Sequence, residues 1–351
     1  RKRMATNKEQ ERHSIESLEI GDQGDPTGKI FVSNVGIFDL SKVNIIHSGV
    51  DTIRQLYRGI LRPGLGEWLD MQNIQKNEIV EIFGQKWAFG RLVKTSGFRY
   101  RIQNNDLGVI MLVGSYYSEI DKTGAHLKIE LSPKFILGNE TDAIQTYLDQ
   151  IADWIYGDKY KASGVAVHLA CDVQGWEPES TFRENFRTRS RAIQDIDGLS
   201  KVEFHAINDI TVEYGKKQGY LFGKSTALQM SMYRKDDEII KTDKVDFWHD
   251  RWTNYTDNQW QKEKPIWRIE ARVHHNIIRE IGIGLGKTFE KFSQVVEYLA
   301  DIWKYALTSN WLQQNRWWVD PFWQLIRSDA TFYNDEQGVV ICRKKKQTLR
   351  A

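Results

Sequence analysis

The sequence predicts an α+β fold in which helices flank a central, mainly antiparallel sheet. Short runs of alternating apolar and polar residues, separated by Gly, Asn and Asp, are typical of antiparallel strands. Segments with helical spacing bracket these runs without regular βαβ alternation, which favours α+β over α/β. The arrangement recurs after residue 160, and this recurrence suggests a sheet built from two similar halves.

The first series of predicted strands extends from residue 29 to about residue 137. Its runs are KIFVSNVGIF, NEIVEIFG, FRYRI, GVIMLVG and HLKIELS. The segment SGVDTIRQLYRGIL, residues 48–61, fits either a strand or a helix. Apolar residues then repeat near helical spacing after a cap at Asn139 or Thr141, which predicts a helix to about Tyr156. These apolar residues are Ile144, Leu148, Ile151 and Ile155.

The second series begins with SGVAVHLACDV, which is predicted to be a strand. A helix is expected to start in STFRENFRTRSRA, because Thr181 and Glu184 have the spacing of a capping box. The runs VEFHAI, ITVEYG, GYLFG, ALQMSMYR and IWRIEARV follow as predicted strands. The last helix is expected to start at Thr288. Its apolar face consists of Phe292, Val295, Val296, Leu299 and Trp303.

Composition limits the class of protein. Hydrophobic residues make up 40% and charged residues 27%, which is ordinary for a globular protein, and no run approaches 18 consecutive apolar residues. The two cysteines, Cys171 and Cys342, provide neither a disulfide framework nor a metal-binding spacing. We therefore expect a soluble, cytoplasmic protein with a flexible basic arm (1–28), a folded domain (29–308) and a Trp-rich C-terminal segment with a basic tail (309–351).

Three patches place acidic, histidine or tyrosine side chains inside or at the end of predicted strands, where solvated carboxylates are rare. The patches are VAVHLACD (165–172), YLFGKSTALQMSMYRKDDE (220–238) and PIWRIEARVHH (265–275). In the second patch Tyr233 ends a strand. Strand alternation turns its side chain away from those of Met230 and Met232, which are expected to face the core.

Alternation also groups the charged residues of the other two patches. His168 and Asp172 share one face of the first patch, and Glu270 lies between Arg268 and Arg272 on one face of the third. A glutamate between two arginines is equally consistent with a structural ion-pair ladder. Similarly, a lone His168 is consistent with a hydrogen-bonded core histidine.

Several common chemistries lack their motifs. No two of the eight histidines stand two residues apart, and the sequence contains no Gly-x-x-x-x-Gly-Lys-Ser/Thr phosphate loop. Neither a zinc cluster nor a Gly-x-Ser-x-Gly elbow occurs. IGIGLGKT, residues 281–288, only imitates a phosphate loop, and we interpret its glycines as a turn before the last helix.

Basic residues are better organised than the net charge of +2 suggests. If FRENFRTRSRA is helical, Arg183, Arg187 and Arg191 fall at positions i, i+4 and i+8 and form an arginine stripe able to follow a phosphate backbone. A solvated helix face explains the same stripe equally well. A second basic patch comprises residues 343–346 and Arg350.

Together the three patches resemble the trans-acting replication initiators of rolling-circle plasmids and integrative elements, a family related to conjugative relaxases. That family shows a strand ending in Asp, a Tyr-x-Gly-Ser-like turn, a Tyr-Asp/Asn-Lys-x-x-Glu segment and an Arg-x-Glu-x-Arg strand in this order. WLQQNRWWVDPFW resembles the family's Arg-Trp-x-x-x-Pro-x-Trp ending. This sequence departs from the pattern where His168 replaces an Asp and Arg234 replaces an Asp or Asn. The matching residues are Asp172, Gly223, Ser225, Tyr233, Lys235, Glu238, Arg268, Glu270 and Arg272.

The resemblance implies sequence-specific DNA nicking and strand transfer that initiate rolling-circle replication. Tyr233 would be the nucleophile, because a phenolate forms a covalent link to DNA and later releases it, and Lys235 would offset negative charge. Mg²⁺ or Mn²⁺ is the implied cofactor. Its expected ligands are Asp172, Glu270, His168 and Glu238. Together with the arginine stripe, Arg268 and Arg272 are expected to contact DNA.

The partners implied by the resemblance are origin DNA, double-stranded and single-stranded, a host helicase and a second copy of the chain, with no membrane. A conjugative relaxase of the same chemistry fits the sequence as well. So does a non-enzymatic origin-binding regulator that kept the scaffold. A tyrosine recombinase is disfavoured, because no His-x-x-Arg element precedes a C-terminal tyrosine.

Overall fold

The computed structural model describes residues 18–19, 30–33, 36–188, 193–195, 201–203, 211–213, 219–224, 226–315 and 318–345. The strands are β1 (Leu18–Glu19), β2 (Ile30–Ser33), β3 (Gly36–Asp39), β4 (Asn44–Gly59), β5 (Ile79–Ile82), β6 (Gln85–Arg91), β7 (Phe98–Asn104), β8 (Val109–Ser115), β9 (Gly124–Leu131), β10 (Tyr160–Gln174), β11 (Phe186–Thr188), β12 (Ile193–Asp195), β13 (Lys201–Glu203), β14 (Thr211–Glu213), β15 (Gly219–Phe222), β16 (Leu228–Arg234), β17 (Trp267–Val273), β18 (Asn310–Asn315) and β19 (Trp318–Val319). The helices are α1 (Leu65–Ile74), α2 (Pro133–Ile136), α3 (Thr141–Tyr156), α4 (Phe182–Asn185), α5 (Lys235–Lys241), α6 (Val245–Tyr255), α7 (His275–Leu285), α8 (Phe292–Val295), α9 (Leu299–Ser309) and α10 (Pro321–Asp329), with 3₁₀ turns at Lys94–Ser96 and Val296–Tyr298.

Eleven strands form one antiparallel sheet, in the order β12-β15-β16-β17-β10-β4-β9-β8-β7-β6-β5. Its centre is the long pair β4 and β10. The ambiguous segment 48–61 is therefore mostly strand, and Val50, Ile53 and Tyr57 anchor it in the main core. Smaller sheets join β1-β2-β3, β11-β18-β19 and β13-β14. The predicted α+β class with a mainly antiparallel sheet is confirmed.

The strand order is the same on the two sides of the central pair. In each half the chain starts with the long central strand, continues at the edge of the sheet and returns by a meander. The last strand of each meander pairs with the central strand of its own half, β9 with β4 and β17 with β10. The two similar halves suggested by the sequence are present as a repeated topology.

The two faces of the sheet differ in character. One face carries the main hydrophobic core, to which α1, α3, α7, α9 and α10 contribute buried side chains. Alternate residues of β10, β16 and β17 belong to this core, including Met230 and Met232, as predicted. The intervening polar residues of these strands therefore line the opposite side, which we call the polar face.

Helices α5 and α6 cover part of the polar face. Ile239 of α5 and Trp248 and Trp252 of α6 form a separate small core with Ile46 and Ile266. The polar face is consequently not a solvated surface where these helices lie. Charged side chains there are buried between the sheet and the helices.

The helix predicted to end near Tyr156 is confirmed as α3. The last predicted helix begins at Phe292 rather than at Thr288, and a 3₁₀ turn separates α8 from α9. Six helices, α1, α2, α5, α6, α7 and α10, were not predicted. In α7, for example, Gly282 and Gly284 lower the intrinsic helix propensity, but the packing of its buried isoleucines in the main core overrides this preference.

The helix predicted over STFRENFRTRSRA is wrong beyond its first turn. Helix α4 ends at Asn185, and β11 then pairs with β18 because Phe186 packs in the main core. Arg183 and Arg187 therefore do not share a helix face, and Arg191 lies outside the described residues. The arginine stripe is not formed by Arg183 and Arg187.

Only parts of the chain ends are described. Residues 1–17 and 20–28 of the predicted arm lie outside the described residues, as do 346–351 of the basic tail. The C-terminal segment supplies β18, β19 and α10, and Trp323 of α10 is fully buried. Among the helices described, none has the length and apolar character required to cross a bilayer.

Candidate active site on the polar face

Strand register brings the three sequence patches together on the polar face. Ala170 of β10 pairs with Glu270 of β17, so His168 is a diagonal neighbour of Glu270. On the other side of β17, Tyr233 of β16 pairs with Arg268. His168, Tyr233 and Glu270 thus project from three adjacent strands toward the same region.

A β-bulge in β4 adds a carboxylate that the three patches do not contain. Thr52 pairs with His168, the register then shifts, and Asp51 is left without a partner on β10. A bulged residue interrupts strand alternation and re-aims its side chain. Asp51, His168 and Glu270 each offer one ligand atom, and these atoms all lie within 4.8 Å of one another.

Glu270 receives hydrogen bonds from three side chains. His168 Nδ1 lies 3.0 Å from Oε1, and Arg272 donates to Oε1 at 3.0 Å and to Oε2 at 3.2 Å. The Tyr233 hydroxyl donates to Oε2 over 3.4 Å. Burial alone would raise the pKa of Glu270, but the charge of Arg272 and the bond from His168 outweigh it and hold this pKa well below its usual range. Glu270 is therefore an ionised carboxylate.

Arg54 fixes the tautomer of His168. Its Nη1 lies 3.2 Å from His168 Nε2, and a guanidinium only donates, so Nε2 accepts and the ring proton sits on Nδ1, facing Glu270. Burial, followed by the charge of Arg54, lowers the pKa of His168. Arg54 also donates to Glu130 at 2.5 Å. His168 is therefore a neutral imidazole, and its Nδ1, which faces Glu270, would have to lose its proton to bind a metal ion.

A cavity of about 100 Å³, which we call the tyrosine cavity, lies between this cluster and helices α5 and α6. The Tyr233 side chain faces it and is 3% exposed. The residues that line it include Asp51, His168, Tyr233, Lys235, Glu238 and Glu270. The structure therefore brings five of the six residues predicted for catalysis and metal binding to one cavity, and adds Asp51.

Lys235 and Glu238 form a buried pair at the start of α5. The Lys235 ammonium donates to Glu238 Oε2 at 2.5 Å and lies 4.6 Å from the Trp248 ring centroid. Burial and the charge of Arg268 lower the pKa of Lys235, against the opposing effect of Glu238. Glu238 is thus the counter-ion of Lys235 and stands apart from the Asp51–His168–Glu270 cluster.

Asp172 does not line the tyrosine cavity. It is fully buried, accepts two hydrogen bonds from Arg268 at 2.6 and 2.8 Å, and accepts a third from Trp252 Nε1 at 2.9 Å. Burial would raise the pKa of Asp172, but Arg268 reverses this and lowers it. Arg268 also donates to Asp51 at 2.5 Å. The structure thus places Asp172 behind Arg268, which it orients toward Asp51, and does not join it to Glu270.

The Asp51–His168–Glu270 donor set fits a divalent cation. Two carboxylates suit Mg²⁺ or Mn²⁺, and the imidazole nitrogen favours Mn²⁺. Each donor residue is also paired with an arginine, as described above. A cation bound here therefore competes with three guanidinium groups for the same lone pairs.

The arginines predicted to contact DNA lie in two different environments. Arg268 and Arg272 are buried in the ion pairs of the polar face. Arg183 is exposed, and Arg187 is exposed while donating to Gln313 at 2.6 Å. Ser225 of the predicted turn lies outside the described residues.

Sequence reasoning missed Asp51, Arg54 and Trp248. The first two belong to the ambiguous segment 48–61, where an acidic and a basic residue within an apolar run are a signal of a buried ion-pair network. Strand alternation alone does not place Asp51, because the bulge changes the face. Trp248 belongs to a helix that was not predicted.

The fold and the site define a protein with a large antiparallel sheet that carries a tyrosine, a histidine and two carboxylates on a covered polar face. The sequence is 33% identical over 320 residues to the uncharacterized protein ORF430 of Pseudomonas phage Pf1, covering 87% of this chain and 73% of that protein. The chain belongs to the same protein family as ORF430.

No protein-family model matches the sequence. The structure of a rolling circle replication initiator protein from Geobacillus stearothermophilus is similar over 80% of this chain and 97% of that chain, with 11% sequence identity and a TM-score of 0.35. A likeness of this size carries no conclusion about activity.

Proposed function

We propose that this protein cuts one DNA strand through Tyr233, rejoins it later, and in this way initiates rolling-circle replication. The observation that carries the proposal is the position of the Tyr233 hydroxyl, 3.4 Å from Glu270 and in one cavity with Asp51 and His168. A nucleophile beside metal-binding donors is an arrangement suited to covalent phosphoryl transfer. The sequence pattern around Asp172, Tyr233 and Glu270 supports the same chemistry.

In the proposed reaction the phenolic oxygen of Tyr233 forms a bond to phosphorus while the bond between phosphorus and the 3′ oxygen breaks. The phenolic proton leaves, the released 3′ oxygen takes up a proton, and the 5′ phosphate stays on the tyrosine. Attack by a 3′ hydroxyl on this ester reverses the step and restores the phosphodiester. The covalent link therefore retains the capacity to rejoin the strand.

Three features of the site would have different roles in the proposed reaction. Glu270 orients the Tyr233 hydroxyl, and its depressed pKa makes it a weak base. Lys235, whose ammonium lies 5.9 Å from the Tyr233 ring centroid, offers positive charge to the phosphate. A divalent cation held by Asp51, His168 and Glu270 would supply Lewis-acid charge at a phosphate oxygen.

Access of DNA requires a movement of α5 and α6. The tyrosine cavity is about 100 Å³, whereas sites for drug-sized ligands occupy roughly 300–1,000 Å³. Glu238, Thr242, Lys244 and Trp248 of the α5–α6 segment line the cavity. Entry of a DNA strand therefore displaces this segment.

One observation favours a second candidate, a DNA-binding regulator that keeps the scaffold without the chemistry. The carboxylates that line the tyrosine cavity are already paired with cationic side chains of the chain itself. Such a network is satisfied without a metal ion. A regulator of this kind would shift origin DNA in a gel and leave both strands intact.

The test is incubation with supercoiled DNA of the replicon that encodes the chain, in the presence of Mg²⁺ or Mn²⁺. The proposal predicts open circles with protein on the 5′ end, and peptide mapping of the adduct should find the nucleotide on Tyr233. An adduct on another tyrosine contradicts the site, and intact circles with a gel shift favour the regulator. A conjugative relaxase gives the same adduct but on DNA of a transfer origin.

A further inference from the structure

A second cavity, of about 70 Å³, lies on the polar face next to the tyrosine cavity. His168 and Arg54 line both cavities and form the wall between them. The other polar residues that line the second cavity are Lys128, Arg272, His274 and His275. Because none of its described lining residues is a carboxylate, we call it the basic cavity.

The cationic side chains around the basic cavity differ in whether a carboxylate is paired with them. Arg54 is paired with Glu130 and Arg272 with Glu270. By contrast, within the described part of the chain the Lys128 ammonium forms neither a hydrogen bond nor an ion pair within 4.0 Å. Burial and the charge of Arg54 lower the pKa of Lys128 to about 8, in spite of the opposing effect of Glu130. The basic cavity therefore carries one excess cation that an anion would stabilise.

The histidines add hydrogen-bonding capacity without adding charge. His274 Nδ1 accepts from the backbone N–H of Asn276 at 3.3 Å, so the ring proton of the neutral form sits on Nε2. The ring of His275 lies against that of His274 with centroids 3.9 Å apart. Burial lowers the pKa of His274 to about 4 and that of His275 to about 3, so both are neutral at pH 7.

We propose that the basic cavity binds a phosphodiester group of the strand that Tyr233 cuts, at a linkage neighbouring the scissile one. This inference rests on the proposed function. The cavity has room for about two water molecules, a space that one tetrahedral phosphate group fills. A phosphodiester carries one negative charge, which matches the excess charge of Lys128. Binding there would set the register of the strand, so that the next phosphate meets Tyr233.

The first experiment uses inorganic phosphate as the probe. Thermal unfolding of the full chain is followed during phosphate titration, with chloride at equal ionic strength as reference. Lys128→Gln should weaken phosphate binding by about tenfold or more, as expected for loss of a charged hydrogen bond. Lys128→Arg should retain binding, and so should the control Lys122→Gln, which removes a lysine whose side chain is 67% exposed. Unchanged phosphate binding by Lys128→Gln overturns the proposal.

Loss of folding does not explain the expected result. The cost of burying Lys128 and its repulsion by Arg54 outweigh its attraction to Glu130, so Lys128→Gln should unfold in chloride at the wild-type temperature or above it. A variant that unfolds earlier in chloride contradicts the assignment of Lys128 as an uncompensated cation.

The second experiment identifies the source of the phosphate. A single-stranded oligonucleotide that forms the Tyr233 adduct is made with one neutral methylphosphonate linkage at a time. A methylphosphonate at one linkage next to the scissile position should weaken binding of the oligonucleotide to the wild-type protein by about tenfold. The same replacement should not change binding to Lys128→Gln. An adduct with no Lys128-dependent linkage overturns the basic cavity as a DNA subsite. Phosphate binding without any adduct overturns the proposed function and assigns the cavity to free phosphate.

Discussion

Asp172 and Asp51 both accept hydrogen bonds from Arg268, but Asp172 is fully buried behind it whereas Asp51 belongs to the candidate metal-binding cluster. Substitutions of these two carboxylates should therefore have different effects. Asp172→Asn removes a charge from a fully buried site and turns an amide N–H₂ toward the Arg268 and Trp252 donors. Removing one partner of a buried ion pair costs about 3–5 kcal/mol of unfolding free energy. Asp51→Asn leaves Arg268 paired with Asp172 and alters a side chain that is 15% exposed, so its cost should be about 1–2 kcal/mol.

The two substitutions should affect metal binding in the reverse order, so that Asp51→Asn weakens it more than Asp172→Asn. Urea unfolding of each variant is measured with and without Mn²⁺, since a cation at a hundred times its dissociation constant stabilises the folded state by about 2.7 kcal/mol. Wild type and folded Asp172→Asn should both gain this stabilisation, whereas Asp51→Asn should gain little. The reasoning is refuted if Asp172→Asn keeps wild-type stability but loses the Mn²⁺ effect while Asp51→Asn retains it. That outcome would make Asp172 the ligand, as the sequence resemblance implies.

Three further predictions concern the nucleophile, pH and DNA contacts. Tyr233→Phe removes a hydroxyl with a long 3.4 Å hydrogen bond, so it should lower the free energy of unfolding in urea by less than about 1 kcal/mol and abolish the covalent adduct on gels. The control Tyr57→Phe loses a 2.6 Å hydrogen bond to Asp149, so it should cost more stability and keep the adduct. Burial lowers the pKa of His47 to about 4 from an unfolded value near 6.5, so the free energy of unfolding should be highest above pH 6.5 and fall by up to about 3 kcal/mol as the pH drops to 4. In urea titrations His47→Gln should show a shallower fall of stability with pH. Equal slopes for the variant and the wild type contradict this assignment. If Arg187 contacts a phosphate in spite of lying on a strand, Arg187→Ala should lower the salt dependence of DNA binding by roughly one unit, and an unchanged slope makes it a surface residue.

Much of the fold follows from local patterns. Alternation in β10, β16 and β17 predicts which side chains enter the main core and places those of His168, Glu270 and Tyr233 on the opposite face. The repeated order of strands and helices predicts the two halves of the sheet. These features depend on spacing within single strands, which the sequence displays directly.

The rest depends on contacts between distant segments. The ligand atom of Asp51 reaches the site through a bulge, and a bulge breaks the period of two on which strand alternation depends. Asp172 has the expected face, but two of its hydrogen bonds come from Arg268 on the neighbouring strand, and the third comes from Trp252, which reaches it only when α6 packs on the sheet. The arginine stripe fails because pairing with β18, more than 120 residues away in the chain, outweighs a local capping box.

The repeated topology also means that the candidate active site lies at the junction between the two halves of the sheet. Asp51 belongs to the first half, whereas His168, Tyr233 and Glu270 belong to the second, and the long pair β4 and β10 joins them. A half expressed alone would expose this central strand as a long unpaired edge, which is a template for pairing with another chain. Fragments divided in the turn at residues 157–159 would each lack part of the site, so that activity would return only on complementation, when β4 and β10 pair again across the break.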